Sequence, residues 1–179
     1  MRHPTRYPLI RRRFPAHRIT PTPVLRRKYA LRLWTATVIL VRHAEKASGS
    51  GNPDLSAAGH ARAALLRDML QDARIDAVFV TNTNRSRQTG TPTAAAEGVP
   101  LTQYQAHDAA WLRARVRARH AGKTVLIVAH SNTVDNIASA FGASAVLELE
   151  EPHFDRMFVI TRSWCATRLL RLRYGAPTP

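Results

Sequence analysis

The strongest constraint on the fold is a repeated pattern: short runs of β-branched and leucine side chains that stop abruptly at polar residues. Residues 37–46, TVILVRHAEK, pass from an apolar stretch straight into Arg42 and His43, and residues 123–130, KTVLIVAH, pass the same way into His130. Between them, residues 76–87, DAVFVTNTNRSR, give a third run over 77–80, then a polar loop over 81–84, then Arg85 and Arg87 at the opening of a helix. Apolar runs of this length without polar alternation suit strands buried on both faces, and such strands lie in parallel sheets with helices packed on either side. The intervening segments supply the helices. The expected fold is therefore α/β, a three-layer α/β/α sandwich around a mostly parallel central sheet.

In open α/β sheets, ligands gather beyond the carboxyl ends of the strands. Three strand ends here deliver Arg42, His43, Arg85 and His130, and parallel neighbours linked by helices bring these side chains to one crevice. Forked guanidiniums bind phosphate oxygens with directional hydrogen bonds, and an imidazole beside them can act as nucleophile or proton carrier. After His130, Ser131-Asn132-Thr133 is a polar step that caps a helix running through Val134, Ile137, Ala138 and Phe141.

Four motifs in order make the chain similar to the histidine phosphatase superfamily, the phosphoglycerate-mutase-like fold, as a small lid-less bacterial-type member. Arg42-His43-Ala44-Glu45 matches its "RHG/A-E" signature and Leu55-Ser56-Ala57-Ala58-Gly59 its "L-S/T-x-x-G" helix start. Arg85-Ser86-Arg87-Gln88-Thr89 matches the "R-A-x-Q-T" turn, and His130 the second histidine of "V-x-H". The resemblance spans residues 37–175 and implies that His43 accepts the phosphoryl group while Arg42, Arg85 and His130 bind it. Arg85 takes the family position and Arg87 does not, so Arg87 is expected at the pocket rim or in solvent. The reaction implied is metal-independent hydrolysis of a phosphate monoester, or of phosphohistidine, through a phosphohistidine intermediate on His43.

The residue chemistry agrees with that assignment. A histidine nucleophile must be neutral, its reference pKa is about 6.5, and two neighbouring arginines disfavour the imidazolium. One cysteine and no tight His/Asp/Glu cluster of ligand spacing indicate no metal and no cofactor. The general acid is less defined. Where many family members carry a glutamate, residues 101–112 offer Asp108, which also reads as the N-cap of a helix over 109–121; Asp135 and Glu45 are the alternatives. A phosphohistidine substrate would ask less of an acid, because imidazole leaves more easily than an alkoxide.

At 179 residues and 45% hydrophobic, the chain accommodates one domain with a full core. The helix after Ser56 is expected to bury Leu65, Leu66, Met69 and Leu70 and to expose Arg67, Asp68, Gln71 and Asp72. Residues 154–161 and 166–174 read as two strands around 162–165, an edge hairpin closing the sheet. Larger family members insert a lid between the third strand region and the second-histidine strand. The corresponding segment here, 99–123, is short, which implies an open pocket and argues against mutase action.

Charge divides the chain. Ten of the 27 Lys+Arg fall within the first 33 residues, where no Asp or Glu occurs, so the net +15 leaves +5 for the rest. With Pro4, Pro8, Pro15, Pro21 and Pro23 breaking any regular helix, residues 1–33 are expected to be a disordered basic arm, followed by a domain over 36–175 and a tail over 176–179. The arm could contact nucleic acid or an anionic membrane, or be an organellar presequence or an upstream extension unrelated to catalysis. No transmembrane segment or secretory signal is recognisable, which favours the cytoplasm. Arg113, Arg115, Arg117 and Arg119 read as a solvated helix surface, and His60, His107, His120 and His153 as non-catalytic. The partner expected at the crevice is a small phosphate ester or a phosphorylated protein. The competing reading is a non-catalytic binding protein on the same fold, using its basic surface for nucleic acid or membrane; the intact set of Arg42, His43, Arg85 and His130 argues against it.

Overall fold

The computed structural model describes residues 34–144, 149–151 and 153–178. The proposed basic arm, 1–33, lies outside the described residues. Six strands form one sheet in the order β3-β2-β4-β1-β5-β6: β1 (Ala36–Arg42), β2 (Ile75–Val80), β3 (Leu101–Gln103), β4 (Thr124–Ala129), β5 (Arg156–Arg162) and β6 (Thr167–Arg173). The first four are mutually parallel, while β5 runs antiparallel to β1 and β6 antiparallel to β5. The three-layer α/β/α sandwich with a terminal edge hairpin is thus the observed architecture. The short strand β3, within the segment read as the stretch carrying the acid, is additional.

Alternating side chains of each central strand feed two cores, which explains the unbroken apolar runs. Val38, Leu40, Phe79, Val125 and Ile127 meet helices α3 (Ala109–Arg119) and α4 (Val134–Ala140) through Leu112, Val116, Val134 and Ile137. On the other face, Ile39, Val41, Val78, Val80, Leu126 and Val128 meet α1 (Ala57–Leu70) and α2 (Asn84–Glu97) through Leu66, Leu70 and Ala94. Val78 and Val80 come so close to α2 that a β-carbon at Gly90 would lie 2.7 Å from Val80.

The inward stripe of α1 is Gly59, Arg62, Ala63, Leu66 and Leu70, not the expected quartet: Leu65 and Met69 are 38% and 47% exposed. Counting only apolar residues shifted the stripe, because a buried arginine holds the place the pattern gave to leucine and methionine. The edge strand β6 is largely exposed and carries Arg168, Arg171 and Arg173, charges that discourage pairing with another chain. Residues 176–178, expected as a tail, are bonded to the domain: Thr178 Oγ1 donates to Asp155 Oδ1 at 2.8 Å and Ala176 O accepts from Arg62 at 2.9 Å. No described helix is long and apolar enough to cross a membrane.

Candidate active site

Strand order creates the site. Because β4 inserts between β2 and β1, Arg42 at the end of β1 is level with Ala129 at the end of β4, and His43 N–H continues the ladder to Ala129 O at 2.9 Å. His43 and His130 therefore leave adjacent parallel strands side by side, with ring centroids 5.3 Å apart in an edge-to-face arrangement. The loop after β2 supplies the third wall. Thr83 caps α2 by accepting from Ser86 N–H, which starts the helix where Arg85 reaches the histidine.

The ring of His43 is fixed by its two hydrogen bonds. Nδ1 lies 2.8 Å from the carbonyl oxygen of Ala44, so it must carry the proton and donate; Nε2 is then the lone-pair nitrogen, and it accepts from Arg85 Nε at 3.1 Å. Only 3% of the residue is exposed. Burial, and after it the charges of Arg42, His130 and Arg85, push the His43 pKa down to about 3, while the Ala44 contact acts the other way. His130 is pushed down to about 4 by burial first, then by Arg85, Arg42 and His107. Its Nε2 is 2.9 Å from Thr81 Oγ1. Both imidazoles are neutral at ordinary pH, and the lone pair of His43 Nε2 faces the guanidinium of Arg85.

Arg42 is fully buried. Its Nη2 donates to Glu151 Oε1 at 2.7 Å, its Cζ lies 4.2 Å over the ring of Phe154, and its Nε is buried with no partner among the described residues. Burial lowers the Arg42 pKa and Glu151 works against that. Phe154 also sits 6.0 Å from His43, ring to ring. The four residues expected to converge do so.

Supporting residues explain the motif spacing. Thr89 Oγ1 accepts from Ala44 N–H at 2.9 Å and donates to Arg85 O at 2.7 Å, so it ties the loop after His43 to the arginine turn. Ser86 Oγ accepts from Thr81 N–H and donates to Val128 O, joining the ends of β2 and β4. Gln88 Oε1 accepts from Leu55 N–H at 2.7 Å. Ser56 caps α1 and donates its N–H to Glu45 O at 2.9 Å; Gly59 is required because a β-carbon there would lie 2.1 Å from that same oxygen.

The acid candidates separate. Glu45 is engaged by Arg62, whose Nε and Nη2 grip both its carboxylate oxygens at 2.7–3.0 Å. The carboxylate neutralises a buried arginine that also donates to Tyr174 O at 2.6 Å. Asp108 is exposed and caps α3 by accepting from Trp111 N–H at 2.8 Å. It also lines, with Asn82, Gln103, Tyr104, Gln105 and Trp111, a cavity of about 170 Å³ that begins one residue from His130's partner Thr81. Asp135 lies in the first turn of α4, with Oδ1 buried and unpartnered among the described residues. Arg87 is exposed on α2, as expected.

Sequence reasoning missed Arg62, Glu151 and Phe154. For Glu151 a signal existed: Glu148, Glu150 and Glu151 are three of only 12 acidic residues in a strongly basic chain. Arg62 gave none, since an arginine on a helix is ordinarily solvent-facing.

Comparison with known proteins agrees with this geometry. Residues 38–108 match the family model of the histidine phosphatase superfamily (branch 1). A candidate phosphohistidine phosphatase, SixA, from Agrobacterium tumefaciens superposes with a TM-score of 0.61 at 23% identity, covering 78% of this chain and 98% of its own. A candidate alpha-ribazole-5'-P phosphatase from Escherichia coli gives 0.62 at 15% identity, covering 78% and 97%. A mycobacterial glucosyl-3-phosphoglycerate phosphatase gives 0.60 at 10%, covering 80% and 100%. At such identities the structural likeness establishes the fold, and no curated protein sequence matches the chain at a significant level. Over residues 38–108, which hold the β1 strand end, the α1 start and the arginine turn, the chain is similar to the histidine phosphatase superfamily (branch 1), and it shares the fold of small phosphatases.

Proposed function

We propose that this protein is a phosphatase that hydrolyses phosphate monoesters or phosphohistidine through a covalent intermediate on His43. The observation that carries the reading is the fixed tautomer of His43: a proton on Nδ1, a lone pair on Nε2, and Arg85 at 3.1 Å from that lone pair. A phosphoryl group entering between Arg42, Arg85 and His130 would take over the arginine donors and release Nε2 to attack phosphorus. The new N–P bond forms as the bond to the leaving atom breaks. Water then attacks the phosphohistidine, releasing inorganic phosphate and restoring the lone pair.

For an alkyl ester the leaving oxygen needs a proton, and Asp108 is the donor we assign, because it follows His107, whose charge acts on His130, and lines a cavity with Asn82, the residue after Thr81. A leaving imidazole needs none of comparable strength, so phosphohistidine fits a site whose acid is exposed and engaged as a helix cap. The likeness to a candidate phosphohistidine phosphatase points the same way. The segment between β3 and α3 is only a few residues long and forms no lid, which favours hydrolysis over phosphoryl retention.

The test is hydrolysis of an aryl phosphate by the purified protein, with His43→Ala alongside. Turnover should fall by roughly three orders of magnitude or more, as expected for loss of a covalent nucleophile. An acid-labile, base-stable phosphoryl adduct should appear on the wild type alone. A His43→Ala variant retaining a tenth of wild-type turnover would exclude the mechanism.

A further inference from the structure

The phosphate-binding guanidiniums are already occupied by the protein's own acceptors. Arg85 is held by the His43 lone pair, and Arg42 by a carboxylate that belongs to no strand or helix. Glu151 is 59% exposed, yet its Oε1 lies 2.7 Å from Arg42 Nη2, which is sealed from solvent, and 3.7 Å from Lys46 Nζ. It meets Arg42 from the solvent side, since the glutamate is mostly exposed and the guanidinium is buried. The backbone around it is fastened to the site: Glu150 O accepts from Arg42 Nη1 at 3.4 Å, His153 N–H donates to Glu150 O at 2.9 Å, and Leu149 N–H donates to Ser131 O, next to His130, at 3.4 Å. Phe154, three residues on, forms the apolar wall over Arg42.

A carboxylate and a phosphoryl group present the same feature to an arginine, paired anionic oxygens for forked donors. Both cannot take the outward edge of Arg42 at once. Resting on the reading of Arg42 as a phosphate ligand, we propose that Glu151 is an internal competitor for that site. Substrate must displace it to bind, and its return helps expel inorganic phosphate. An intramolecular ligand acts at high effective concentration, so it weakens apparent binding of every anion without altering the attack on phosphorus. Swinging the exposed glutamate back into solvent needs no rearrangement of the core.

The experiment is calorimetric titration of the whole protein with inorganic phosphate, together with steady-state kinetics on an aryl phosphate. Glu151→Gln keeps an acceptor for the buried guanidinium, so folding is preserved and circular dichroism verifies it. From the worth of an ion pair with one solvent-exposed partner, phosphate should bind about 3- to 10-fold tighter in Glu151→Gln, KM should fall by a similar factor, and kcat should not rise. Glu150→Gln removes the same charge one residue away and should give a clearly smaller change. In an Arg42→Ala background, Glu151→Gln should lose its effect. Unchanged or weaker phosphate binding in Glu151→Gln, an equal gain in Glu150→Gln, or a gain that survives Arg42→Ala would each overturn the proposal. If Arg42→Ala binds phosphate as well as the wild type, the error lies in assigning Arg42 to phosphate, and the competitor falls with it.

Discussion

Arg62→Met offers the sharpest test of how the loop after His43 is supported. Arg62 is 5% exposed, grips the Glu45 carboxylate with Nε and Nη2, donates to Tyr174 O and Ala176 O, and lies 5.5 Å over the Tyr174 ring. Methionine fills much of the same volume, so the loss is chiefly electrostatic. Breaking a buried ion pair by deleting one partner costs about 3–5 kcal/mol, and the lower end applies because Glu45 keeps 20% side-chain exposure. The Tyr174 carbonyl, left without its donor, adds roughly 1 kcal/mol, whereas Ala176 is exposed and can turn to water. A total of about 4 kcal/mol would lower the melting temperature on the order of 10 °C for a domain of this size. Urea denaturation followed by circular dichroism measures it directly. Glu45→Gln should cost less, and the double variant less than the two single losses together, since one interaction is being removed twice. A loss below about 1 kcal/mol for Arg62→Met, or strict additivity, would refute the argument that this pair anchors the strand end to the C-terminal segment.

Three further outcomes follow from the site. With His43 pushed down to about 3, the nucleophile stays neutral well below the 6.5 of a free imidazole, so kcat/KM, corrected for ionisation of the substrate, should change less than about threefold between pH 7.5 and 5.5; a tenfold fall would show an ordinary imidazole. Stability should move the other way: below pH 6.5 the unfolded chain binds protons that folded His43 and His130 refuse, so stability is full above that pH. It is then lost on acidification at up to about 1.4 kcal/mol per unit for each, until pH reaches about 4 for His130 and about 3 for His43. Asp108→Asn should keep the α3 cap, because asparagine caps as well as aspartate, yet slow alkyl phosphates roughly 100-fold while leaving aryl phosphates nearly unchanged. If alkyl and aryl esters respond alike, Asp108 does no more than cap the helix.

The strands were legible in the sequence because burial on both faces leaves an uninterrupted apolar run, and the candidate site residues because they sit where such runs stop. Arg42, His43, Arg85 and His130 could be named from that pattern, since chain direction alone brings parallel strand ends to one edge. What the sequence could not rank was the use made of each charge. Glu45 lies two residues from His43 along the chain, yet it is bound to Arg62 seventeen residues later. Glu151, 109 residues from Arg42, lies against it because β5 pairs with β1 and returns the preceding segment to the same sheet edge. Local periodicity records which side chains avoid water; which charges meet inside is decided by long-range pairing, and no short window of residues contains both partners.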